Sequence, residues 1–83
     1  MIDEDLLLDA VWEVNESGER ALAGNVRLEI GKIADGYFDV MDVADDLAEL
    51  ESRGKLKRAP AIEWNDSGPT PKTRIRYVLP SKQ

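Results

Sequence analysis

The fold of this chain is decided by one stretch near its centre, DVMDVADDLAELESRGKL, which spans residues 39–56. Its apolar residues recur at helical spacing and lie on one face, at Val40, Val43, Ala44, Leu47 and Leu50. Asp39 is a typical N-cap, and Gly54 is a typical residue just beyond a helix end. The stretch therefore predicts a single amphipathic helix from about Asp39 to Arg53.

Two further helices are predicted upstream of this stretch. The first runs from Asp3 to about Val14, since its apolar residues share a face and Asn15–Gly18 supplies a stop. The second begins near Gly24, where Val26, Ile30 and Ile33 follow at i, i+4 and i+7. The segment 26–30 also alternates with period two, as a strand would, so this second prediction stays open between helix and strand.

The remainder predicts a β-hairpin. Its first strand covers about Leu56 to Trp64, with Pro60 marking an irregular or edge position. The stretch 65–71, NDSGPTP, is rich in turn residues, and 72–79 then alternates as a second strand. The predicted core contains these residues: Leu7, Val11, Val14, Val26, Ile30, Val43, Leu47, Leu50, Ile62, Ile75 and Tyr77. The other aromatic residues are predicted in the core or at its rim: Trp12, Tyr37, Phe38 and Trp64.

Composition excludes several classes of function. The chain has 83 residues, 42% apolar and 34% charged, which fits one globular domain spanning residues 1–83. It has no cysteine and no histidine, so disulfides, the usual zinc sites and His- or Cys-based catalysis are excluded. We therefore expect neither an enzyme nor a cofactor or metal. No apolar run approaches the roughly 20 residues of a membrane span, and the acidic start MIDED is unlike a secretory signal, which predicts a cytoplasmic protein.

Charge is distributed unevenly along the chain. Residues 1–52 hold fifteen Asp and Glu against three Lys and Arg, a net charge of −12. Residues 53–83 hold eight Lys and Arg against two Asp and Glu, a net charge of +6, and the whole chain carries −6. This asymmetry indicates a polyanionic partner for the basic part. The alternative is that the two halves complement each other within the fold or across a dimer.

The order helix, short extended piece, helix, helix, hairpin resembles a winged-helix domain. The spacing of five residues is similar to the third helix of many winged-helix regulators and its exit into the wing: Val43, Leu47, Leu50, Gly54 and Leu56. Val26, Ile30 and Gly31 resemble the second helix of the same superfamily. The resemblance implies an α+β winged helix, a three-helix bundle with a C-terminal two-stranded β-hairpin wing.

The resemblance also implies a third helix that enters the DNA major groove and a wing that lies along the backbone or minor groove. The positions of this chain that would face the DNA include four carboxylates and no cation: Asp42, Asp45, Asp46 and Glu49. Carboxylates repel phosphates, so readout of the major groove by this helix is disfavoured. As a metal site the same four residues are disfavoured too, since calcium and magnesium sites draw oxygens from loops or several elements.

The predicted wing carries the opposite charge. Six cations make it the candidate nucleic-acid-binding surface: Lys55, Lys57, Arg58, Lys72, Arg74 and Arg76. The alternative is a solvated hairpin face on which Glu63 pairs with an arginine across the strands.

The leading hypothesis is a transcription-regulatory module that contacts double-stranded DNA mainly through its wing, as a monomer or a homodimer. The competing hypothesis is a protein-interaction module that binds a basic protein through the acidic surface of its third helix.

Overall fold

The computed structural model of the chain describes residues 2–64, 68 and 70–80. Its main helices are α1 (Glu4–Glu16), α2 (Ala23–Ala34) and α3 (Val40–Ser52), followed by the antiparallel strands β1 (Lys57–Arg58) and β2 (Tyr77–Val78). This confirms the predicted α+β class, three helices followed by a C-terminal two-stranded hairpin, in a layout compatible with a winged helix. Among the described residues, none of the helices has both the length and the apolar character needed to cross a membrane.

The ends of α1 and α3 follow the sequence closely. The Asp3 carboxylate accepts a hydrogen bond from the backbone N–H of Leu6 at 3.2 Å, and Asp39 accepts one from Met41 at 3.1 Å. Each aspartate thereby satisfies a free N–H group of the first helical turn. Gly54, just beyond α3, has a φ of +79°, the conformation that glycine adopts without steric strain.

The ambiguous second segment is a helix. Val26 and Ile30 are fully buried on its inner face, so the period that decides its structure is the helical one. Leu22, just before α2, has an extended backbone, and the Tyr77 N–H donates to the Ala21 carbonyl at 3.2 Å. This bond joins the start of α2 to the last strand. It ties the hairpin to the bundle.

The predicted core is confirmed in all but one position. The buried predicted residues come from the three helices and the C-terminal segment: Leu7, Val11, Val14, Val26, Ile30, Val43, Leu47, Leu50, Ile75 and Tyr77. Ile62, which was also predicted there, is 87% exposed, so that prediction is wrong. The reason is the local backbone, because Ile62 lies in a helical turn and not in a strand.

The predicted first strand is much shorter than expected. Only Lys57–Arg58 pairs with β2, and residues 61–64 form a single helical turn, α4 (Ala61–Trp64). Pro60 has no N–H to continue the ladder, and its carbonyl instead accepts from the Glu63 N–H at 2.8 Å. The prediction of a strand from Leu56 to Trp64 is therefore wrong beyond Arg58.

The predicted second strand is also mostly irregular. Residues 72–74 form a 3₁₀ turn (Lys72–Arg74), closed by a 2.8 Å bond from the Arg74 N–H to the Pro71 carbonyl. Only Tyr77–Val78 is strand, in the register Lys57 opposite Val78 and Arg58 opposite Tyr77. The alternation in sequence nevertheless reports burial correctly, since Ile75 and Tyr77 are buried.

The aromatic residues divide between core and surface. Tyr77 is buried and Phe38 is partly buried against the core, as predicted. Trp12 is 48% exposed and Tyr37 is 79% exposed, so placing them in the core or at its rim was wrong. The Trp64 side chain, together with residues 65–67 and 69 of the predicted turn, lies outside the described residues.

Candidate nucleic-acid interface

Four of the six wing cations pair with carboxylates that lie on three different elements, α1, α3 and α4. The Lys55 Nζ lies 3.6 Å from a carboxylate oxygen of Glu4 at the start of α1. The Arg58 Nε lies 3.0 Å from Glu51 near the end of α3. The two cations at the base of the wing thus contact two different helices.

The cations of the C-terminal half of the wing show the same behaviour. The Lys72 Nζ lies 2.7 Å from Oδ1 of Asp45 on α3. The Arg76 guanidinium contacts Glu63 of α4 at 3.0 Å and the Asn15 side-chain oxygen of α1 at 3.4 Å. The expected pairing of Glu63 with an arginine is present, but Glu63 forms it from a helical turn and not across two strands.

These ion pairs agree with the alternative interpretation of the uneven charge, in which the acidic and basic halves of the chain complement each other within the fold. In the Lys72–Asp45 pair the two side chains are 53% and 58% exposed. Exposed pairs of this kind contribute from zero to about 1 kcal/mol each. A phosphate can therefore replace the carboxylate with little loss of folding free energy.

Two wing cations form no ion pair with any residue in the described ranges, namely Lys57 and Arg74. They lie in different surroundings. Lys57 is opposite Val78 in the two-stranded ladder, and residues directly opposite each other share a face of the sheet. Arg74 belongs to the 3₁₀ turn that packs against α2 and α3.

Arg74 lines a cleft of about 350 Å³ at the N-terminal end of α2. Its other walls come from the start of α2, the start of α3 and the 3₁₀ turn: Leu22, Gly24, Asn25, Val40 and Thr73. No side chain caps α2, so N–H groups of its first turn are left without a capping oxygen. A helix N-terminus, a guanidinium and a hydroxyl together suit an anionic oxygen ligand.

The contribution of Gly24 and Thr73 to this cleft was not predicted from the sequence. One local signal was available, because Leu22 stands at the N-cap position of α2, where a Ser, Thr, Asp or Asn is usual. The approach of Thr73 carried no local signal, since almost fifty residues separate it from the start of α2.

The acidic set of α3 is partly engaged within the fold. Asp45 pairs with Lys72, and the Asp46 carboxylate accepts a 2.8 Å hydrogen bond from the backbone N–H of Ile2. Asp42 and Glu49 are exposed and pair with no cation in the part of the chain that the structure describes. The same part contains no group of three or more acidic residues arranged to hold a metal ion.

Two polar side-chain atoms of consecutive residues at the root of the hairpin are buried without a hydrogen-bond partner among the described residues, the Arg76 Nε and the Tyr77 Oη. Burial raises the pKa of the Tyr77 phenol above its ordinary value of 10.0. The negative charge of Glu51 raises that pKa further, and Arg58 opposes the shift. Tyr77 therefore serves packing and stays protonated at neutral pH.

Comparison with known proteins yields no relative. No family model, no curated protein and no solved structure matches the chain significantly. Its function is therefore inferred from its own residues and their geometry.

Proposed function

We propose that the protein is a small winged-helix module that binds the phosphate backbone of double-stranded DNA through two cations of its wing, Arg74 and Lys72, at the cleft beside the N-terminal end of α2. One observation carries this proposal: Arg74 is exposed, has no carboxylate partner among the described residues, and borders the uncapped N-terminus of α2. A phosphate seated there would accept hydrogen bonds from the backbone, from Arg74 and from Thr73.

Lys72 extends the same surface, because it stands two residues from Arg74 in the 3₁₀ turn. Its exposed bond to Asp45 is weak, so Lys72 can turn from the carboxylate to a neighbouring phosphate. Each cation that neutralises a phosphate releases condensed counterions, which is the main source of affinity in backbone binding.

The acidic surroundings set the character of this binding. The outer face of α3 carries Asp42, Asp45 and Glu49. Their carboxylates repel the phosphates that would flank α3 if it entered a DNA groove. Phosphate contacts position a protein on DNA without reading its sequence. The proposed binding is therefore of modest affinity, strongly dependent on salt and weakly dependent on sequence.

A duplex titration followed by fluorescence anisotropy tests the proposal at about 50 mM salt and above. Log K should fall by about 0.9 per phosphate neutralised for each decade of salt concentration. Arg74→Glu should weaken binding and reduce the salt slope by about 1. Lys57→Glu is the matched control, because it makes the same charge change at an exposed cation away from the cleft, and it should change binding much less.

Two outcomes would contradict the proposal. Absence of binding at about 50 mM salt removes nucleic acid as a partner, since backbone contacts are strongest at low salt. Equal losses in Arg74→Glu and Lys57→Glu would show that only net charge matters and that the cleft is no site.

The alternative function, capture of a basic protein by α3, is favoured by a separate observation. Met41 is 45% exposed on the surface that also bears Asp42, so an apolar side chain and free carboxylates lie together. Glu49→Lys discriminates the two functions, because it should strengthen duplex binding under the first and weaken binding of a basic polypeptide such as polylysine under the second. Glu49 is a better choice than Asp45 or Asp46, which already have partners within the fold.

A further inference from the structure

A groove of about 680 Å³ lies between α1 and β2, apart from the Arg74 cleft, with which it shares no lining residue. Five apolar residues line it: Leu8, Trp12, Val78, Leu79 and Pro80. Its volume falls within the range of about 300–1,000 Å³ typical of ligand sites. Both surfaces can therefore be occupied at once, so binding at this groove does not depend on nucleic-acid binding at the Arg74 cleft.

The groove is built by hydrogen bonds between its two walls. The Asn15 amide on α1 donates to the Tyr77 carbonyl on β2 at 3.2 Å. Arg76, which lines one part of the groove, donates to the Asn15 side chain and pairs with Glu63. These bonds fix α1 against β2 and leave the Arg76 charge balanced by Glu63.

Trp12 is the prominent apolar group of this groove. Its side chain is 48% exposed, and it follows Leu8 by one helical turn, so the two form a ridge along α1. A half-exposed tryptophan beside further apolar side chains forms an apolar patch of the kind that marks interaction sites. Tryptophan is also enriched among the residues that dominate binding energy at protein interfaces.

A stripe of carboxylates runs beside this ridge on the exposed surface of α1. Four acidic residues form it, Asp5, Asp9, Glu13 and Glu16, and none pairs with a cation elsewhere in the described residues. Asp9 and Glu16 line the groove itself. Arg76 also lines the groove, but its charge is balanced by Glu63, so the unpaired charges of the lining are those of Asp9 and Glu16. An apolar floor beside these carboxylates is complementary to a partner that is apolar on one side and cationic next to it.

We propose that this groove docks an amphipathic, basic helix of another protein. The apolar side chains of that helix lie on Leu8 and Trp12, and its lysines or arginines face Asp9 and Glu16. A helix that docks in an apolar groove contacts it through its own residues i, i+3, i+4 and i+7. Leu8 and Trp12, which are one helical turn apart on α1, provide a surface for such residues.

A second copy of this chain fits the groove less well. In a two-fold dimer the same patch meets itself, so the carboxylate stripe of one α1 would lie against that of the other. Like charges placed opposite each other are destabilising. The charge of the groove thus favours a basic partner over self-association.

The test uses a synthetic peptide of about 14 leucines and lysines, with leucines at i, i+3, i+4 and i+7, against a scrambled isomer of the same composition. Calorimetric titration into the full chain should show binding of the amphipathic peptide and roughly tenfold weaker binding of the isomer. Trp12→Ala and Glu16→Lys should each weaken binding by roughly tenfold or more.

Glu19→Lys is the matched control, because it reverses the charge of an exposed glutamate in the loop after α1, which neither lines the groove nor belongs to the acidic surface of α3. It should change the affinity by less than about threefold, the effect of net charge alone. Circular dichroism of each variant verifies that the helices remain folded.

Three results would overturn the proposal. Equal binding of the two peptides, or equal losses in Glu16→Lys and Glu19→Lys, would show attraction without a docking site. A dimer in sedimentation experiments that Trp12→Ala abolishes would assign the groove to a second copy of the chain.

Discussion

The bundle of α1, α2 and α3 and the hairpin segment, residues 55–80, are stabilised in different ways. The bundle buries one apolar face of each helix, and the N-terminal ends of α1 and α3 are capped by Asp3 and Asp39. The hairpin segment has two short strands, a few buried side chains such as Tyr77, and exposed ion pairs to the helices. Most of the buried core residues therefore belong to the bundle, and the surface charges of the hairpin segment are available for binding.

A substitution that creates a cavity in the bundle should have the largest effect on stability. Leu47→Ala removes a fully buried side chain between α3 and its neighbours, and we expect the free energy of unfolding to fall by about 2–5 kcal/mol. Urea denaturation followed by circular dichroism measures the change. The control is Ile62→Ala in the hairpin segment, at a side chain 87% exposed, where the change should stay within about 0.5 kcal/mol. Comparable losses in the two variants would contradict the division.

The same division explains which parts of the fold could be predicted from the sequence. Helical spacing and caps are local, so α1 and α3 were predicted to within two or three residues of their bounds. The strand prediction beyond Arg58 was wrong because Pro60 diverts the chain into α4, an effect of backbone hydrogen bonding that a period-two pattern does not report.

The candidate site was predicted in part for the same reason. The charge of the wing is visible in sequence, but its pairing with separate helices is not, because Glu4 and Asp45 lie far along the chain from Lys55 and Lys72. Tertiary packing alone brings Arg74 to the start of α2.

The second prediction concerns the junction between the two regions, at Gly54. Its φ of +79° disfavours any residue with a Cβ, while an added Cβ would meet no atom within 4 Å. Gly54→Ala should therefore lower the free energy of unfolding by about 1–2 kcal/mol through backbone strain alone. Gly24→Ala is a matched control, since Gly24 is helical and equally free of neighbours, and it should leave stability unchanged or raise it. If Gly54→Ala left the free energy of unfolding unchanged, the backbone of the turn would have to shift to a conformation that accepts a Cβ.

A smaller effect is expected at the root of the hairpin segment, where the Tyr77 hydroxyl is buried without a partner among the described residues. Tyr77→Phe keeps the ring and removes that hydroxyl, so the free energy of unfolding at neutral pH should be unchanged or rise by about 1 kcal/mol. A loss of more than about 2 kcal/mol would show that the hydroxyl has a partner.

The alkaline behaviour of the same variant gives an independent check. Because burial raises the pKa of folded Tyr77 above 10.0, the unfolded chain releases this proton at lower pH than the folded chain. The contribution of the protonated phenol is thus fully present below pH 10.0 and is lost as the pH rises from there toward the folded pKa. Tyr77→Phe should lack that part of the alkaline loss, measured as the difference between the denaturation midpoints of the two proteins across this range.

The smallest effect lies at the surface, in the Lys72–Asp45 pair that joins the hairpin segment to α3. A double-mutant cycle of Lys72→Gln and Asp45→Asn should give a coupling energy of about 0.2–1 kcal/mol that shrinks with added salt.

Asp45→Asn alone should strengthen duplex binding, because it frees Lys72 and removes a repulsive carboxylate, whereas Glu16→Gln, an equal charge change on α1, should strengthen it less. A coupling well above 1 kcal/mol would mean that this contact holds the hairpin segment in place. In that case Lys72 would not be available to a phosphate, and the contrast between a stabilising bundle and a binding wing would fail at this contact.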